Sequence, residues 1–208
     1  MARARSAVPL SHQNGPKAVD AIEAAYWTEG MNPQFRLADG GGLASVHATL
    51  GKRGYESFQP TVVKLGDVET LARFRDHPAE VLERPDTAWG EVFLGDGFDP
   101  EEGALRVAAL SRAPDALYAA MREDGRTVAV GVVAFGHGWA GIHGMRTARD
   151  REGRGLASQI LAGLGRAIQD RGVTRVYLQV EEKNPARKLY RKAGFRPAWT
   201  YRYWRRPD

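Results

Sequence analysis

A charged, glycine-rich turn is the part of the sequence best suited to bind an anion. Residues 151–157 read REGRGLA. The small residues Gly153, Gly155 and Ala157 allow the backbone to approach a ligand closely. A helix is predicted to follow, and its first N–H groups and its dipole favour negative charge. The turn is therefore predicted to bind a phosphate or pyrophosphate, with its two arginines adding charge. Taken alone, such a sequence more often forms an ordinary tight turn, so the assignment of an anion site depends on the flanking sequence.

The flanking pattern predicts a strand, a helix, a second strand and a short helix. The first strand ends near Thr147. The helix after the turn carries apolar residues spaced three and four apart, at Leu156, Ile160, Leu161, Leu164 and Ile168, and ends near Gly172. Residues 175–180 alternate and are rich in Val, Leu and Tyr, which favours a strand. Asn184 and a proline then begin a helix that ends at Gly194.

This order of elements, together with the sequence LYRKAGF at residues 189–195, resembles the GNAT superfamily of acyl-CoA-dependent N-acyltransferases. The resemblance covers roughly residues 115–204. It implies an α/β (α+β) fold with a central twisted mixed β-sheet flanked by helices. It also implies that acetyl-CoA donates an acetyl group to a primary amine of a small molecule or of a peptide or protein. No metal is implied.

The resemblance assigns roles to specific residues. It implies that the strand end, Met145, Arg146 and Thr147, pairs its backbone with the pantetheine arm. The loop implied to wrap the pyrophosphate consists of Glu152, Gly153, Arg154, Gly155, Leu156 and Ala157. Asn184 is implied to contact the pantetheine. Tyr190 is implied to be the general acid that protonates the departing thiolate.

Two positions depart from the family pattern. Glu152 stands where the family usually has Gln or Arg. A carboxylate beside a pyrophosphate is unfavourable unless it points away or pairs with Arg149 or Arg154. The spacing from Asn184 to the tyrosine is one residue shorter than usual, so Lys183 shares the predicted pantetheine position.

The general base is left open by the sequence. Some relatives use a Glu on the strand before the asparagine, and here that position is Gln179, which cannot accept a proton at neutral pH. The candidates are Glu181, Glu182 and His143; a water chain, or an amine that arrives neutral, would also serve. A backbone N–H within residues 145–147 is expected to stabilise the oxyanion.

The N-terminal part shows a weaker, repeated pattern. The segment KRGY at residues 52–55 aligns with the later KAGF at an offset of about 140. We interpret residues 1–66, including a predicted strand over 2–10, as a degenerate GNAT-like half that lacks the glycine–arginine turn and the tyrosine and should not bind CoA. Residues 67–103 are then a connector and 104–208 the catalytic domain. Any alternation of strands and helices would give a similar pattern.

Composition narrows the class of protein. The 208 residues carry a net charge of +5 and no cysteine, which excludes a disulfide framework and a thiolate metal site. The N-terminus lacks an apolar signal core and no run is long enough to span a membrane, so we expect a cytoplasmic protein without a membrane partner. Basic residues are spread along the chain, and one cluster coincides with the predicted cofactor turn. We therefore expect no nucleic-acid partner.

Three further expectations complete the sequence analysis. Residues 95–103 are acidic and are predicted to form a solvated loop. The alternating aromatic residues of 196–204 predict a last strand that closes the sheet and is compatible with a homodimer. The alternative functions are a non-catalytic acyl-CoA-binding regulatory protein and a nucleic-acid-binding module, whose binding would fall steeply with salt.

Overall fold

The computed structural model describes residues 5–11 and 15–207. Residues 2–4 of the predicted first strand lie outside this part of the chain. The prediction is wrong for residues 5–10, which form only an isolated bridge between Ala7 and Phe35. The helices are α1 (Lys17–Thr28), α2 (Ala44–Lys52), α3 (Val68–Ala72), α4 (Thr87–Glu91), α5 (Pro100–Leu110), α6 (Leu156–Asp170) and α7 (Arg187–Lys192). The strands are β1 (Phe35–Ala38), β2 (Glu56–Asp67), β3 (Glu80–Leu82), β4 (Ala116–Glu123), β5 (Arg126–Gly136), β6 (Trp139–Thr147), β7 (Arg175–Glu181) and β8 (Arg196–Arg205).

The strands form one mixed eight-stranded sheet in the order β1-β8-β2-β7-β6-β5-β4-β3. Strands β3 to β6 pair antiparallel in sequence. Strand β7 pairs parallel with β6, which requires a crossover connection, and α6 provides it. Strand β8 pairs antiparallel with β1. The expectation that the last strand closes the sheet is wrong, because β8 has neighbours on both sides and β1 lies outside it. Both hydrogen-bonding edges of β8 are therefore occupied, and a homodimer could not form by strand pairing there.

The chain divides into two compact units. One contains the residues up to Val63, Val180–Asn184 and the residues from Pro197 onward; the other contains Lys64–Gln179 and Pro185–Arg196. The core of the first unit includes Val19, Phe35, Leu37, Leu43, Val46, Leu50 and Tyr55. A core cluster of the second unit contains Trp89, Val92, Phe93, Tyr118, Ala120, Val130 and Val132.

Helices cover the two faces of strand β5 differently. The side chains of Val130 and Val132 pack with Trp89 and Phe93, next to the helices α4 and α5. Gly131, between the two valines, faces the other way, and a Cβ built there would lie 2.6 Å from a methyl of Ile160 in α6. Since neighbouring residues of a strand point to opposite faces, α6 lies on the face opposite the Trp89 cluster.

The predicted helix after the turn is confirmed. Helix α6 begins at Leu156, and its five apolar positions are at most 5% exposed. Burial of such a stripe, at about 1.5–3 kcal/mol for each large aliphatic side chain, is the main driving force for holding the helix on the sheet. Gly172 follows the end of the helix with φ +68°, as expected for a residue that terminates a helix.

The acidic segment 95–103 is only partly the loop that was predicted. Helix α5 begins at Pro100, and the carboxylate of Asp99 accepts a hydrogen bond from the N–H of Glu102 at 2.7 Å. An Asp N-cap followed by Pro at the first helical position is a strong start signal, and it outweighs the polar composition. The acidic residue Asp99 therefore caps the N-terminus of α5.

The aromatic stripe of β8 is largely core. Tyr201 and Tyr203 are at most 4% exposed and pack with Val63, and their rings are 5.6 Å apart. Trp199 on the same face is 51% exposed. Core packing therefore accounts for the two tyrosines of this strand.

Candidate active site

Strands β6 and β7 separate before they reach their carboxyl ends. Their register runs from Ala140 opposite Val176 to Ile142 opposite Leu178, while β6 continues through residues 143–147. Ligands of open α/β sheets bind at the carboxyl ends of parallel strands. The loop after β6 and helix α7, which follows β7, belong to the same edge of the sheet, so this edge is the candidate site.

A β-bulge interrupts β6 next to the separation. His143 pairs with Val132, but Arg146, three residues later, pairs with Val130, only two residues earlier. Gly144 lies within the bulge with φ +58°, a conformation that an L-residue adopts at a cost of about 1–2 kcal/mol. The bulge turns part of the backbone at residues 144–145 out of the ladder with β5. It therefore provides backbone polar groups beside the opening. This bulge was not predicted, although a glycine inside a strand is the usual signal for one.

The glycine-rich loop ends at the open N-terminus of helix α6. Gly155 is the N-cap of α6 with φ +82°, and no side chain in the described part of the chain caps this helix end. Ideal Cβ atoms at Gly153 and Gly155 would meet no atom of the described residues within 4 Å. Within the described residues, the N–H groups of residues 153–155 donate to no carbonyl or side chain. The helix end therefore presents unpaired donors to open space, where the helix dipole is positive.

The arginines around this loop do not all contribute free charge. Arg151 is held by Glu123 at 3.0 Å and by Asp150 at 2.9 Å. Arg149 donates to the carbonyl oxygen of Gly97 at 2.7 Å. Arg154 is 56% exposed, with its nearest carboxylate at 3.9 Å. Of the two arginines predicted to add charge, Arg154 is largely exposed, whereas Arg151 is already paired with carboxylates.

The neighbouring carboxylate Glu152 is exposed. Within the described residues it forms no ion pair with Arg149 or Arg154, the two partners considered from the sequence. An exposed side chain can turn toward water, which leaves the backbone donors of the loop available. Asp150 is different, because Arg126 holds it through two hydrogen bonds of 2.7 and 2.9 Å and lowers the pKa of that carboxyl below its ordinary value.

Tyr190 lies on the inner face of α7. The side chain is 9% exposed, its ring is 6.3 Å from that of Phe195, and its carbonyl accepts the N–H of Phe195 at 2.9 Å. Burial raises the pKa of the Tyr190 hydroxyl. The group is therefore protonated at neutral pH, as a proton donor must be.

The remaining predicted residues lie on the segment after β7. Asn184 is exposed, and its N–H donates to the carbonyl of Glu181 at 3.0 Å. The carboxylate of Glu181 accepts a hydrogen bond from Gln59 at 2.6 Å. Glu182 is exposed, and its N–H donates to the carbonyl of Pro60 at 2.8 Å. The two glutamates are thus exposed side chains near the end of a strand.

His143 differs from these two candidate bases. It is half-buried on β6, and its ring meets that of Tyr177 edge-on at 6.0 Å between centroids. An ideal Cβ at Gly141 would lie 2.8 Å from its Nε2 atom, so this glycine makes room for the imidazole. Of the three candidates, His143 is the one directly beside the point where β6 and β7 separate.

One part of the site was not anticipated. Residues 95–98 reach the strand end, where Phe98 packs against the guanidinium of Arg146 with 4.1 Å from Cζ to the ring centroid. Arg149 donates to Gly97 in the same segment. The sequence offered one signal, an aromatic residue within an otherwise acidic loop. This segment also borders a cavity of about 280 Å³ lined in part by Val92, Phe98 and Arg149.

Two further features concern the described part of the chain as a whole. Among residues 5–11 and 15–207, no helix is both long and apolar enough to cross a bilayer. In the same residues no three His, Asp or Glu side chains gather where they could hold a metal ion.

Comparison with known proteins defines the class of this fold. The structure is similar to a GCN5-related N-acetyltransferase from Kribbella flavida, with a TM-score of 0.71 at 19% identity over 97% of this chain and 80% of that chain. It is also similar to the tandem GNAT protein from the clavulanic acid biosynthesis pathway, with a TM-score of 0.66 at 16% identity over 90% of this chain and 67% of that one. The fold is therefore the GNAT acetyltransferase fold.

Sequence comparison identifies the family. The model described as "Probable histone acetyltransferase Rv0428c C-terminal" matches residues 1–204, and the chain belongs to this GNAT-type acetyltransferase family. It is 35% identical to a mycothiol acetyltransferase of Clavibacter sepedonicus over 190 residues, which is 83% of this chain and 59% of the relative. It is 27% identical over 124 residues to the uncharacterized N-acetyltransferase YobR of Bacillus subtilis (strain 168), covering 58% of this chain and 50% of YobR. The chain thus spans only about half to three fifths of the length of these curated relatives.

Proposed function

We propose that this chain transfers the acetyl group of acetyl-CoA directly to a primary amine of a small molecule or of a peptide or protein. One observation carries the proposal. Two parallel strands separate at their carboxyl ends, and the first of them leads into a helix whose glycine N-cap presents unpaired N–H groups to open space. Membership of an acetyltransferase family supports the same reading.

The residues at this edge fit the anionic and amide parts of such a substrate. The N–H groups of residues 153–157 and the guanidinium of Arg154 would bind the pyrophosphate. The backbone of residues 145–147, beside the separated strands, would pair with the pantetheine amides. Asn184 is proposed as a further pantetheine contact, with Lys183 as its alternative. The thioester supplies an electrophilic acyl carbon and a leaving group that requires a proton.

The protein would supply three functions to the transfer. The nitrogen of the amine forms a bond to the acyl carbon while the carbon–sulfur bond breaks. A backbone N–H within residues 145–147, next to the bulge, would stabilise negative charge on the acyl oxygen. Tyr190 would give its proton to the departing sulfur. His143, or a water beside it, would take the proton that the amine loses, with Glu181 and Glu182 as the alternatives.

An enzyme is a better reading than a non-catalytic acyl-CoA-binding protein. Both curated relatives bear the names of acetyltransferases. A buried tyrosine that remains protonated is also what the leaving group requires.

We further propose that residues 1–66 are a degenerate GNAT-like half, 67–103 a connector and 104–208 the catalytic domain. When about 140 is added to the residue numbers of the N-terminal part, α1, β1, α2 and β2 align with α6, β7, α7 and β8, respectively. The helix ends correspond as well. The backbone N–H of Tyr55 donates to the carbonyl of Leu50 at 3.0 Å, and the backbone N–H of Phe195 donates to the carbonyl of Tyr190 at 2.9 Å. Leu50 thus takes the place of the proposed acid, so this half should be inactive.

The experiment that tests the enzymatic proposal compares Tyr190→Phe with Tyr118→Phe. Tyr118 is a matched control, since it is 2% exposed and its hydroxyl donates to the carbonyl of Leu110 in the core. Thiol release from acetyl-CoA with a panel of amines and peptides should fall by ~10²–10⁴-fold in Tyr190→Phe. Tyr118→Phe should lose about 1 kcal/mol of stability and keep its activity. Equal activity of wild type and Tyr190→Phe would remove the tyrosine from the mechanism.

A further inference from the structure

Arg146 is a half-buried cation that lacks a carboxylate partner. Its Nε atom is buried and has no hydrogen-bond partner among the described residues, and no carboxylate there lies within 4.0 Å of its guanidinium. The nearby carboxylate of Glu102 is taken by Arg106 at 2.8 Å. Burial lowers the pKa of the Arg146 guanidinium, and Arg106 lowers it further. Glu102 raises this pKa in part. A half-buried guanidinium with an unpaired Nε atom is therefore suited to bind an anion that the chain itself does not supply.

The contacts of Arg146 fix its orientation and leave donors available. The ring of Phe98 lies 4.1 Å from Cζ and that of Phe93 lies 5.7 Å from it. Aromatic rings cover the flat faces of a guanidinium, whereas its N–H groups point outward in its plane. A planar guanidinium held in this way is preorganised to bind a carboxylate through two parallel hydrogen bonds.

The sheet places Arg146 away from the proposed pyrophosphate site. Because of the bulge, Arg146 and His143 pair with Val130 and Val132, and therefore share one face of the sheet. That face carries the Trp89 cluster. Helix α6, whose N-terminus would hold the phosphates, packs on the opposite face against Gly131. An anion bound by Arg146 would therefore come from the acceptor rather than from the phosphates of CoA.

We propose that Arg146 recognises a carboxylate of the acceptor, so that the preferred substrates are amines that also carry a carboxylate, such as amino acids or peptides with an acidic residue next to the amine. The proposal rests on the proposed acetyl transfer and names the substrate class of that site. Arg146 is then a specificity-determining residue on the same face of the sheet as the candidate base His143.

The test uses pairs of acceptors that differ in one carboxylate, Ala-Asp-amide against Ala-Asn-amide and alanine against alaninamide. Thiol release is measured for wild type, Arg146→Gln, Arg146→Lys and Arg171→Gln, and acetyl-CoA affinity is measured separately by calorimetry. Arg171 is the matched control, because it also stacks on an aromatic ring, Phe135, at 4.3 Å, near the opposite end of strand β5. We expect a preference of at least about tenfold in kcat/KM for the carboxylate member, equivalent to ~1.4 kcal/mol.

The preference should disappear in Arg146→Gln, persist in part in Arg146→Lys and be unchanged in Arg171→Gln. A wild type that acetylates both members equally, or an Arg146→Gln variant that keeps the preference, overturns the proposal. So does a loss of acetyl-CoA affinity in Arg146→Gln without a change in preference, since the anion would then belong to the cofactor. If no member is acetylated, the CoA-saturated protein is melted with each pair; equal melting temperatures overturn the carboxylate site. Failure to bind acetyl-CoA at all would instead refute the proposed function.

Discussion

Replacing Gly155 by alanine tests the proposed pyrophosphate site, and replacing Gly172 by alanine is the control for the cost of a strained backbone. Gly155 has φ +82°, at the N-terminus of α6, and Gly172 has φ +68°, just beyond the C-terminus of the same helix. At both positions an ideal Cβ meets no atom of residues 5–11 and 15–207 within 4 Å. Alanine at either position therefore collides with none of these residues. The two variants differ in the helix end at which the added methyl group lies.

The two substitutions should destabilise the fold to a similar extent. A non-glycine residue in the left-handed region costs roughly 1–2 kcal/mol. For a chain of this length each kcal/mol lowers Tm by about 2–4 °C, so each variant should melt roughly 2–8 °C below wild type. Differential scanning calorimetry measures this change directly.

Acetyl-CoA affinity should distinguish the two variants. In Gly155→Ala the methyl group enters the space in front of the unpaired N–H groups of residues 153–155, where the pyrophosphate would have to approach the backbone. We expect at least about a tenfold rise in Kd, or ~1.4 kcal/mol, measured by isothermal titration calorimetry. Gly172→Ala should bind as wild type does. Equal Kd values for both variants would refute the assignment of this loop as the pyrophosphate site.

Four further changes test other parts of the structure. His143→Gln should lower the rate of acetyl transfer by ~10²-fold at unchanged Tm, because this imidazole is proposed to accept the proton of the amine. An unchanged rate would leave a glutamate or water as the base. Glu23→Gln should lower the free energy of unfolding, measured in urea, by about 3 kcal/mol, because the buried carboxylate is bound by Arg53 and by the hydroxyl of Tyr55. A decrease below about 1 kcal/mol would contradict the role of this network. Burial and then Glu23 raise the pKa of Tyr55 to about 12, so wild type should lose stability as pH rises from about 10 to about 12, and Tyr55→Phe should lose less over that range. Burial, and then two arginines of α7, lower the pKa of Lys64. Its protonated form therefore opposes folding, and stability should rise with pH between the lowered and the ordinary pKa. Lys64→Met should raise Tm at neutral pH and remove this rise, whereas a lower Tm would show that the 3.4 Å hydrogen bond from Lys64 to the carbonyl of Phe195 matters more.

The central elements of the site could be predicted from the sequence because their signals are local. The glycine-rich turn and the apolar spacing after it define the start of α6, and the helix begins at Leu156 as expected. The alternation of residues 175–180 likewise defines a strand. These patterns depend on the periods of the helix and the strand, which the sequence shows directly.

The tertiary contacts of the site could not be predicted in the same way. The register shift around Gly144 depends on pairing with β5, and the sequence signal was a single glycine. The stacking of Phe98 on Arg146 joins residues almost fifty positions apart. The position of β8 between two strands also depends on partners distant in the chain. Each of these features is set by long-range packing rather than by local propensity.

The acidic segment before α5 illustrates a different limit. Its composition favours a solvated loop, but one capping aspartate followed by Pro100 was enough to begin a helix. The capping signal was present in the sequence and outweighed the composition. Similar start signals at Asp67 and Asp86 begin α3 and α4.

Mass spectrometry of acetyl transfer tests the central proposal most directly. The protein is incubated with acetyl-CoA labelled with carbon-13 in the acetyl group and with the panel of amines and peptides, and the products are analysed together with the released thiol. We expect labelled N-acetyl product in equal amount to the thiol, formed by wild type and nearly absent with Tyr190→Phe. If no labelled product forms with any amine while the folded protein also fails to bind acetyl-CoA, the proposed function is contradicted.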